Sequence, residues 1–194
     1  MKKILLIIPI VLFILTGFRF AKPNEVIYIQ PLGKVSPEYI EMVKKSVKSF
    51  YGYECVVNKK KEVTPDILSK ITKRVEANKL LSKYKSSQNT LILTEKDICH
   101  FKDKLRPDYG IFGLGLRPGK TCVISTFRLK RGVSKQKTFE RLEKVALHEI
   151  GHNLGLNHCT NNKECMMSDA KGTIKQVDNE KVWFCEKCMK QIKI

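Results

Sequence analysis

The sequence predicts an α/β fold in which helices pack on a mixed sheet, and three observations support this prediction. Four short apolar runs typical of strands recur between residues 26 and 126. Helix-start signals lie between the first three of these runs. A turn signal separates the fourth run from an apolar, glycine-containing run just before it. Alternation of strands and helices is typical of an α/β sheet, and the turn adds an antiparallel pair to it.

The predicted strands are short segments rich in β-branched and aromatic residues. They are VIYIQ at 26–30, YECVVN at 53–58, TLILT at 90–94 and TCVIST at 121–126. The sequence RPGK at 117–120 is a turn signal, so GIFGLGL and TCVISTF are expected to form a hairpin.

Two helices are predicted between the first three strands, each opened by a capping residue and a proline. The first has Ser36 as N-cap and Pro37 at its first position, and its apolar face continues through Ile40, Val43 and Val47. The second opens at Thr64 and Pro65, with an apolar face formed by Ile67, Leu68, Ile71 and Val75.

A third helix is predicted to begin at Thr138, and it leads into the run HEIGHNLGLNH. Residues four apart share a helix face, so His148 and His152 can bind one metal ion. Gly155 suits the left-handed backbone that ends a helix, and the chain beyond it can return His158 as a third ligand. Three ligands leave a position for water, as in catalytic zinc sites, and the adjacent glutamate is the natural general base.

That glutamate is Glu149. The alternative interpretation is a surface helix whose two histidines are four apart by chance, with the third histidine in an unrelated loop. His100 lies far upstream of the run and has no partner at ligand spacing. We expect it to be a loop or ordinary structural histidine rather than a ligand.

A second signal comes from four cysteines that follow the histidines: Cys159, Cys165, Cys185 and Cys188. Four thiols in two pairs suit a closed, tetrahedral zinc site, which stabilises a segment and performs no chemistry. Two disulfides are the alternative.

Three further thiols are not part of this pattern. Cys55 and Cys122 lie in apolar runs and are expected to be small core residues. The pattern assigns no role to Cys99.

These motifs resemble those of the archaemetzincins, a family of zinc metallopeptidases in the metzincin clan. The resemblance rests on HEIGHNLGLNHC at 148–159, on Cys165-Met166-Met167 and on CEKC at 185–188. It also includes GIFGLGLRPGKTCVISTFRLKR and QVDNEKVWFCEKC, so that it covers roughly residues 90 to 190. One departure is visible, because five residues separate Cys159 from Cys165 where the family is expected to have four.

The resemblance implies two zinc ions per chain, a catalytic one on the three histidines and a structural one on the four cysteines. It places Met167 beneath the catalytic metal. It also implies a compact metzincin-like domain with a mixed sheet, a helix carrying HExxH and a small zinc-stabilised C-terminal subdomain. We therefore divide the chain into a metallopeptidase domain at 22–194, with an N-terminal lobe at about 22–155 and a C-terminal zinc lobe at about 156–194.

The expected activity is peptide hydrolysis, in which zinc activates water and Glu149 takes its proton and passes it to the leaving amine. The expected partner is a peptide or protein substrate that adds to the exposed edge of the strand near 121–126. The chain is expected to act as a monomer. Two other functions are weighed against this one: a zinc-binding protein without proteolytic activity, and a basic surface or nucleic-acid binder with structural zinc.

The net charge of +18 favours anionic surfaces or acidic substrates. No aromatic-interleaved basic platform or nucleic-acid module accompanies the lysines, so nucleic-acid binding is not expected.

The amino terminus predicts export. Lys2 and Lys3 precede an apolar run from Ile4 to Phe18, the layout of a secretory signal peptide over residues 1–21. The alternative is an uncleaved membrane anchor. Either places the domain outside the cytoplasm, as a secreted, periplasmic or membrane-anchored protein.

Overall fold

The computed structural model describes residues 25–192. In chain order its elements are β1 (Val26–Leu32), α1 (Pro37–Tyr51), β2 (Glu54–Val57), a 3₁₀ turn (Pro65–Ile67), β3 (Val75–Glu76), α2 (Ala77–Lys83), β4 (Thr90–Thr94), β5 (Ile98–His100), β6 (Tyr109–Ile111), β7 (Gly113–Gly115), β8 (Thr121–Ser125), α3 (Lys135–Asn153), α4 (Ile174–Asn179) and α5 (Glu186–Met189).

A mixed five-stranded sheet with the order β2-β1-β4-β8-β7 organises the molecule. The first four strands run parallel, and β7 pairs antiparallel with β8 through registers such as Leu114 opposite Val123. A smaller sheet, β3-β5-β6, adjoins it. The predicted fold class, its four strands and its hairpin are therefore confirmed.

The first helix is also confirmed, because α1 begins at Pro37 after Ser36. It ends at Gly52, which adopts the left-handed conformation with φ of 74°. The hydroxyl of Tyr51, a fully buried residue, donates a hydrogen bond of 2.7 Å to the carbonyl of Leu147 in α3. This bond fixes α1 against the helix that carries the histidine run.

The predicted second helix is wrong. Residues 65–67 form one 3₁₀ turn, Val75 pairs with Ile98 in a sheet, and the next helix starts only at Ala77. The Ser69 hydroxyl accepts hydrogen bonds from the backbone N–H groups of Ile71 and Thr72, which holds the chain in a turn. The helix-like spacing of these apolar residues does not reflect one helix face: Ile67 is buried in the 3₁₀ turn and Val75 in β3, while Ile71 stays 68% exposed.

The start of α3 also differs from the prediction. The helix begins at Lys135, because the Ser134 side chain caps it by accepting a hydrogen bond from Lys137 N at 3.2 Å. Thr138 lies within the first turns of this helix rather than at its start.

The prediction that the strand near 121–126 offers an exposed edge is wrong as well. β8 lies between β4 and β7, so both of its edges are paired. The terminal strand on this side of the sheet is β7, which the predicted hairpin itself places there.

The three thiols outside the four-cysteine group are buried or partly buried in the core. Cys122 and Cys99 are fully buried, and Cys55 is partly buried against the core. Burial raises the pKa of the Cys55 and Cys99 thiols to about 11.

The predicted signal peptide or anchor at 1–21 lies outside the described residues. Within residues 25–192, no helix is both long and apolar enough to span a membrane.

Candidate active site

The structure brings the three histidines of the HEIGHNLGLNH run together. His148 and His152 lie on the last turns of α3, and Gly155 reverses the chain in the left-handed conformation with φ of 97°. His158 then approaches, so that one ring nitrogen from each histidine lies within 4.8 Å of the others. The local geometry is the one expected from the spacing of these residues.

Two of the imidazoles are oriented by backbone carbonyls. His148 Nδ1 lies 2.6 Å from the oxygen of Met166, and His152 Nδ1 lies 2.8 Å from the oxygen of Leu156. A carbonyl oxygen only accepts hydrogen bonds, so Nδ1 carries the proton in both rings and Nε2 presents a lone pair. Burial lowers the pKa of His148 to about 3 and that of His152 to about 4, which keeps both rings neutral at pH 7.

The donor set fits zinc. His152 Nε2 and His158 Nε2 are 3.2 Å apart. Two nitrogens bound tetrahedrally at the usual zinc distance are separated by about 3.3 Å. Three imidazoles on one side of a cavity are also the ligand set of catalytic zinc sites that keep a position for water.

Glu149 lies beside this group and is 6% exposed. Burial raises the pKa of Glu149 to about 8, and a hydrogen bond from the backbone N–H of Gly115 opposes that rise. The carboxylate is therefore held between α3 and β7.

Two glycines of β7 permit this close approach. A Cβ atom on Gly113 would lie 2.6 Å from Glu149 Oε1, and one on Gly115 would lie 2.7 Å from the Glu149 carbonyl oxygen. Both distances are too short for any side chain. This role was not predicted from the sequence, although two glycines at alternate positions of a strand are the signal for close contact with another element.

Met167 lies against the opposite side of α3. It is fully buried, and a Cβ atom on Gly151 would lie 2.6 Å from its sulfur. Gly151 lies between the two helical histidines, so the absence of a side chain there lets Met167 pack directly against the turn that carries them.

The four cysteines of the C-terminal segment also converge, with all sulfur atoms within 4.8 Å of one another. Cys159 Sγ lies 3.6 Å from Cys185 Sγ, and Cys165 Sγ lies 3.8 Å from Cys188 Sγ. Sulfurs around tetrahedral zinc are about 3.8 Å apart, whereas a disulfide bond is about 2.05 Å long. The four thiols are free, so this geometry fits zinc and not two disulfides.

A cavity of about 500 Å³ opens in front of the histidines. His100 lies at its rim on β5, with its ring edge-on to Tyr109 at 5.9 Å. It belongs to neither of the two ligand groups found among residues 25–192, and it lies in a strand rather than a loop.

Comparison with known proteins identifies the family. The sequence signature of Peptidase family M54 matches residues 30–194, which is most of the chain. The chain belongs to Peptidase family M54. The archaemetzincin of Archaeoglobus fulgidus is 32% identical to it over 167 residues, covering 86% of this chain and 98% of that relative.

Solved structures agree with this assignment. The crystal structure of the Archaeoglobus fulgidus archaemetzincin, complexed with malonate, superposes with a TM-score of 0.76 at 30% identity and covers 86% of this chain and 99% of that one. The archaemetzincin of Methanopyrus kandleri gives a TM-score of 0.73 at 25% identity, over 88% of this chain and 94% of that one. This M54 peptidase is a zinc metallopeptidase, and the two non-peptidase functions are not favoured.

Replacing Gly113 by alanine should lower peptide cleavage by this M54 peptidase without removing its zinc. The new methyl group collides with the Glu149 carboxylate and displaces it, whereas the histidines are untouched. We expect kcat/KM to fall by roughly 100-fold, the lower range for loss of a well-placed general base. Steady-state cleavage and zinc analysis of the same sample would measure both quantities.

Gly132→Ala is the control, because a methyl group added at Gly132 meets no atom within 4 Å, although the φ of 66° at this residue is unfavourable for alanine. It should cost stability with little loss of cleavage. Unchanged cleavage by Gly113→Ala would show that β7 does not position Glu149.

Proposed function

We propose that this M54 peptidase hydrolyses peptide bonds at a zinc ion held by His148, His152 and His158, with Glu149 as the general base and acid. The observation that carries this proposal is the convergence of three imidazole rings beside one buried carboxylate at the wall of a cavity. No ordinary packing requirement explains a buried carboxylate beside three converging histidines.

The chemistry that zinc supplies at such a site is Lewis acidity, which activates water and polarises a carbonyl group. Glu149 takes a proton from the attacking water and then delivers it to the nitrogen of the leaving amine. The N–H group of Gly115 holds the carboxylate in one orientation through both transfers. His148 and His152 keep their metal-facing nitrogens fixed because Met166 and Leu156 accept their Nδ1 protons.

The substrate is proposed to bind as an extended strand along β7. Leu116 N donates to Thr121 O and Ser125 N donates to Phe112 O, so these positions of the hairpin face β8. Polar groups alternate in direction along a strand, so Gly113 and Gly115 direct theirs toward the free edge; the Gly115 N–H is bonded to Glu149 there, and the other groups are proposed to pair with substrate. Both glycines also line the cavity. Main-chain pairing there gives binding with modest dependence on side chains.

A second zinc is proposed in the cysteine group, where it stabilises the lobe at about 156–194 against the lobe at about 22–155. The 3.6 and 3.8 Å sulfur separations support this assignment. The extra residue between Cys159 and Cys165 is accommodated in the loop, where Asn162 accepts a hydrogen bond from Cys165 N at 3.2 Å.

The domain is further proposed to be exported as a monomer, either released from its signal peptide or anchored by residues 1–21. The two lysines followed by the apolar run from Ile4 to Phe18 support export. Fractionation of cells that express the full chain tests this proposal, and recovery of all the protein in the cytoplasm would contradict it.

Glu149→Ala should abolish catalysis but keep the metals. We expect two zinc ions per chain in this variant and in the wild type, and a fall in kcat/KM of about 100- to 10,000-fold from loss of the base. Metal analysis and cleavage of a peptide library under reducing conditions measure both. Cleavage at the wild-type rate would exclude Glu149 as the base.

Cys188→Ser should lower the zinc content from two to one and destabilise the C-terminal lobe. The serine hydroxyl is a poor substitute for a thiolate, and the closed site loses one of four ligands. Cys122→Ser is the control, since Cys122 is buried far along the sequence from the cysteine group and should leave both zinc ions bound. Two zinc ions in Cys188→Ser would contradict the second site.

An ester in place of one substrate amide tests pairing with β7. Replacing the amide that donates to the β7 edge removes one main-chain hydrogen bond, so KM should rise by about 5- to 10-fold. The same replacement one residue away, where the amide points to solvent, should have little effect. Equal KM values for all three peptides would contradict binding along this edge.

A further inference from the structure

The cavity continues beyond the histidines into a space between α3 and α4. We call the part of the cavity that is lined by the buried residues Val145, Val177 and Glu180 its inner part; Val145 precedes Glu149 by four residues on α3. Four residues correspond to about 6 Å along the helix axis, so a long substrate side chain could reach from Glu149 to the level of Val145. Ala170 and Val177 line the same region, so its walls are largely apolar.

Glu180 is the exception to this apolar lining. It is 5% exposed and lines the cavity. Its Oε1 atom accepts one long hydrogen bond of 3.4 Å from Gln176, and among residues 25–192 its carboxylate has no other hydrogen bond and no ion pair. A buried carboxylate without a counter-charge is costly, so its retention beside a cavity points to a missing cationic partner.

Among residues 25–192, Lys144 is a cation whose charge acts on Glu180, but its ammonium group is hydrogen-bonded elsewhere. Lys144 Nζ donates to the carbonyls of Val177 at 3.0 Å and Asp178 at 3.2 Å. Burial raises the pKa of Glu180 to about 8, and the charge of Lys144 only partly opposes this. Glu180 is therefore largely protonated at pH 7 in the free protein, and a cationic side chain placed beside it would favour its ionised form.

Resting on the peptidase function proposed above, we propose that Glu180 selects substrates that place a lysine or arginine side chain in the inner part of the cavity, next to the bond that is cleaved. The apolar walls cover the methylene groups of such a side chain, and the carboxylate pairs with its charged end.

Apart from the general base, the other charges around the cavity are exposed: Asp169 is a second acidic residue in its lining, but unlike Glu180 it lies at the surface. Lys102, Arg117 and Lys171 line the outer part, and the whole chain carries a net charge of +18. The protein as a whole therefore repels basic peptides. A preference for lysine or arginine at one substrate position cannot come from general electrostatic attraction.

The test compares peptides that differ only at the residues flanking the cleaved bond, with lysine, arginine or the uncharged methionine there. Zinc-loaded wild type should cleave the best lysine or arginine peptide with a kcat/KM about 10- to 100-fold above its methionine analogue, the range for a charge-assisted hydrogen bond. In Glu180→Gln this ratio should fall close to one, because kcat/KM should decrease for the basic peptide alone. A purely structural role would lower both values together.

Glu140→Gln is the matched control, because Glu140 is a 45%-exposed glutamate on α3 paired with Lys137 and does not line the cavity. It removes the same charge and should keep the ratio. A ratio near one in wild type, or a ratio unchanged in Glu180→Gln, would overturn the proposal while leaving the peptidase function intact.

Binding provides a readout that does not depend on turnover. Calorimetry on zinc-loaded Glu149→Gln should show the lysine peptide binding about 10-fold or more tightly than the methionine peptide, and Glu149→Gln/Glu180→Gln should bind them equally. If no peptide is cleaved by wild type but this difference in binding is found, the proposed activity fails and the role of Glu180 stands. Equal binding by Glu149→Gln would overturn the role of Glu180.

Discussion

The arrangement of both ligand groups depends on how the segment Cys165–Met167 is held. Cys165 belongs to the cysteine group, the Met166 carbonyl accepts the Nδ1 proton of His148 at 2.6 Å, and Met167 packs against the helix turn that carries the histidines. Three consecutive residues thus connect the two groups. The backbone N–H of Cys159 closes the connection by donating to Met167 O at 2.6 Å. Because His158 directly precedes Cys159, any shift of the cysteines also moves a catalytic ligand.

The active site is assembled from parts that contribute in different ways. α3 supplies two histidines at helical spacing, and Gly155 supplies the reversal that returns the third. The sheet contributes β7, whose glycines allow the backbone to lie directly against Glu149. The segment that follows His158 contributes Met167 on the other side of α3 and Glu180 in the lining of the cavity. The catalytic helix is therefore fixed from both sides, and the open space between β7 and α4 is left for substrate.

Most of the correct predictions came from local sequence patterns. Strand composition, the Ser36-Pro37 helix start and the ligand spacings each depend on residues close in the chain, so they could be interpreted without a structure. The helix predicted over 65–75 was wrong because sheet pairing of Val75 with Ile98 overrides local periodicity. The free edge was assigned to β8 although the hairpin covers it with β7. The positions of Gly113 and Glu180 depend on packing between distant segments, which spacing does not reveal.

The most direct test of this account is a zinc titration of the metal-free protein, in which alkylation of each cysteine and peptide cleavage are followed together by mass spectrometry. We expect protection of Cys159, Cys165, Cys185 and Cys188 to precede the appearance of cleavage, because the cysteine group must be ordered before Met166 can orient His148. Full cleavage while these four thiols remain reactive would contradict the dependence of the catalytic site on the cysteine group.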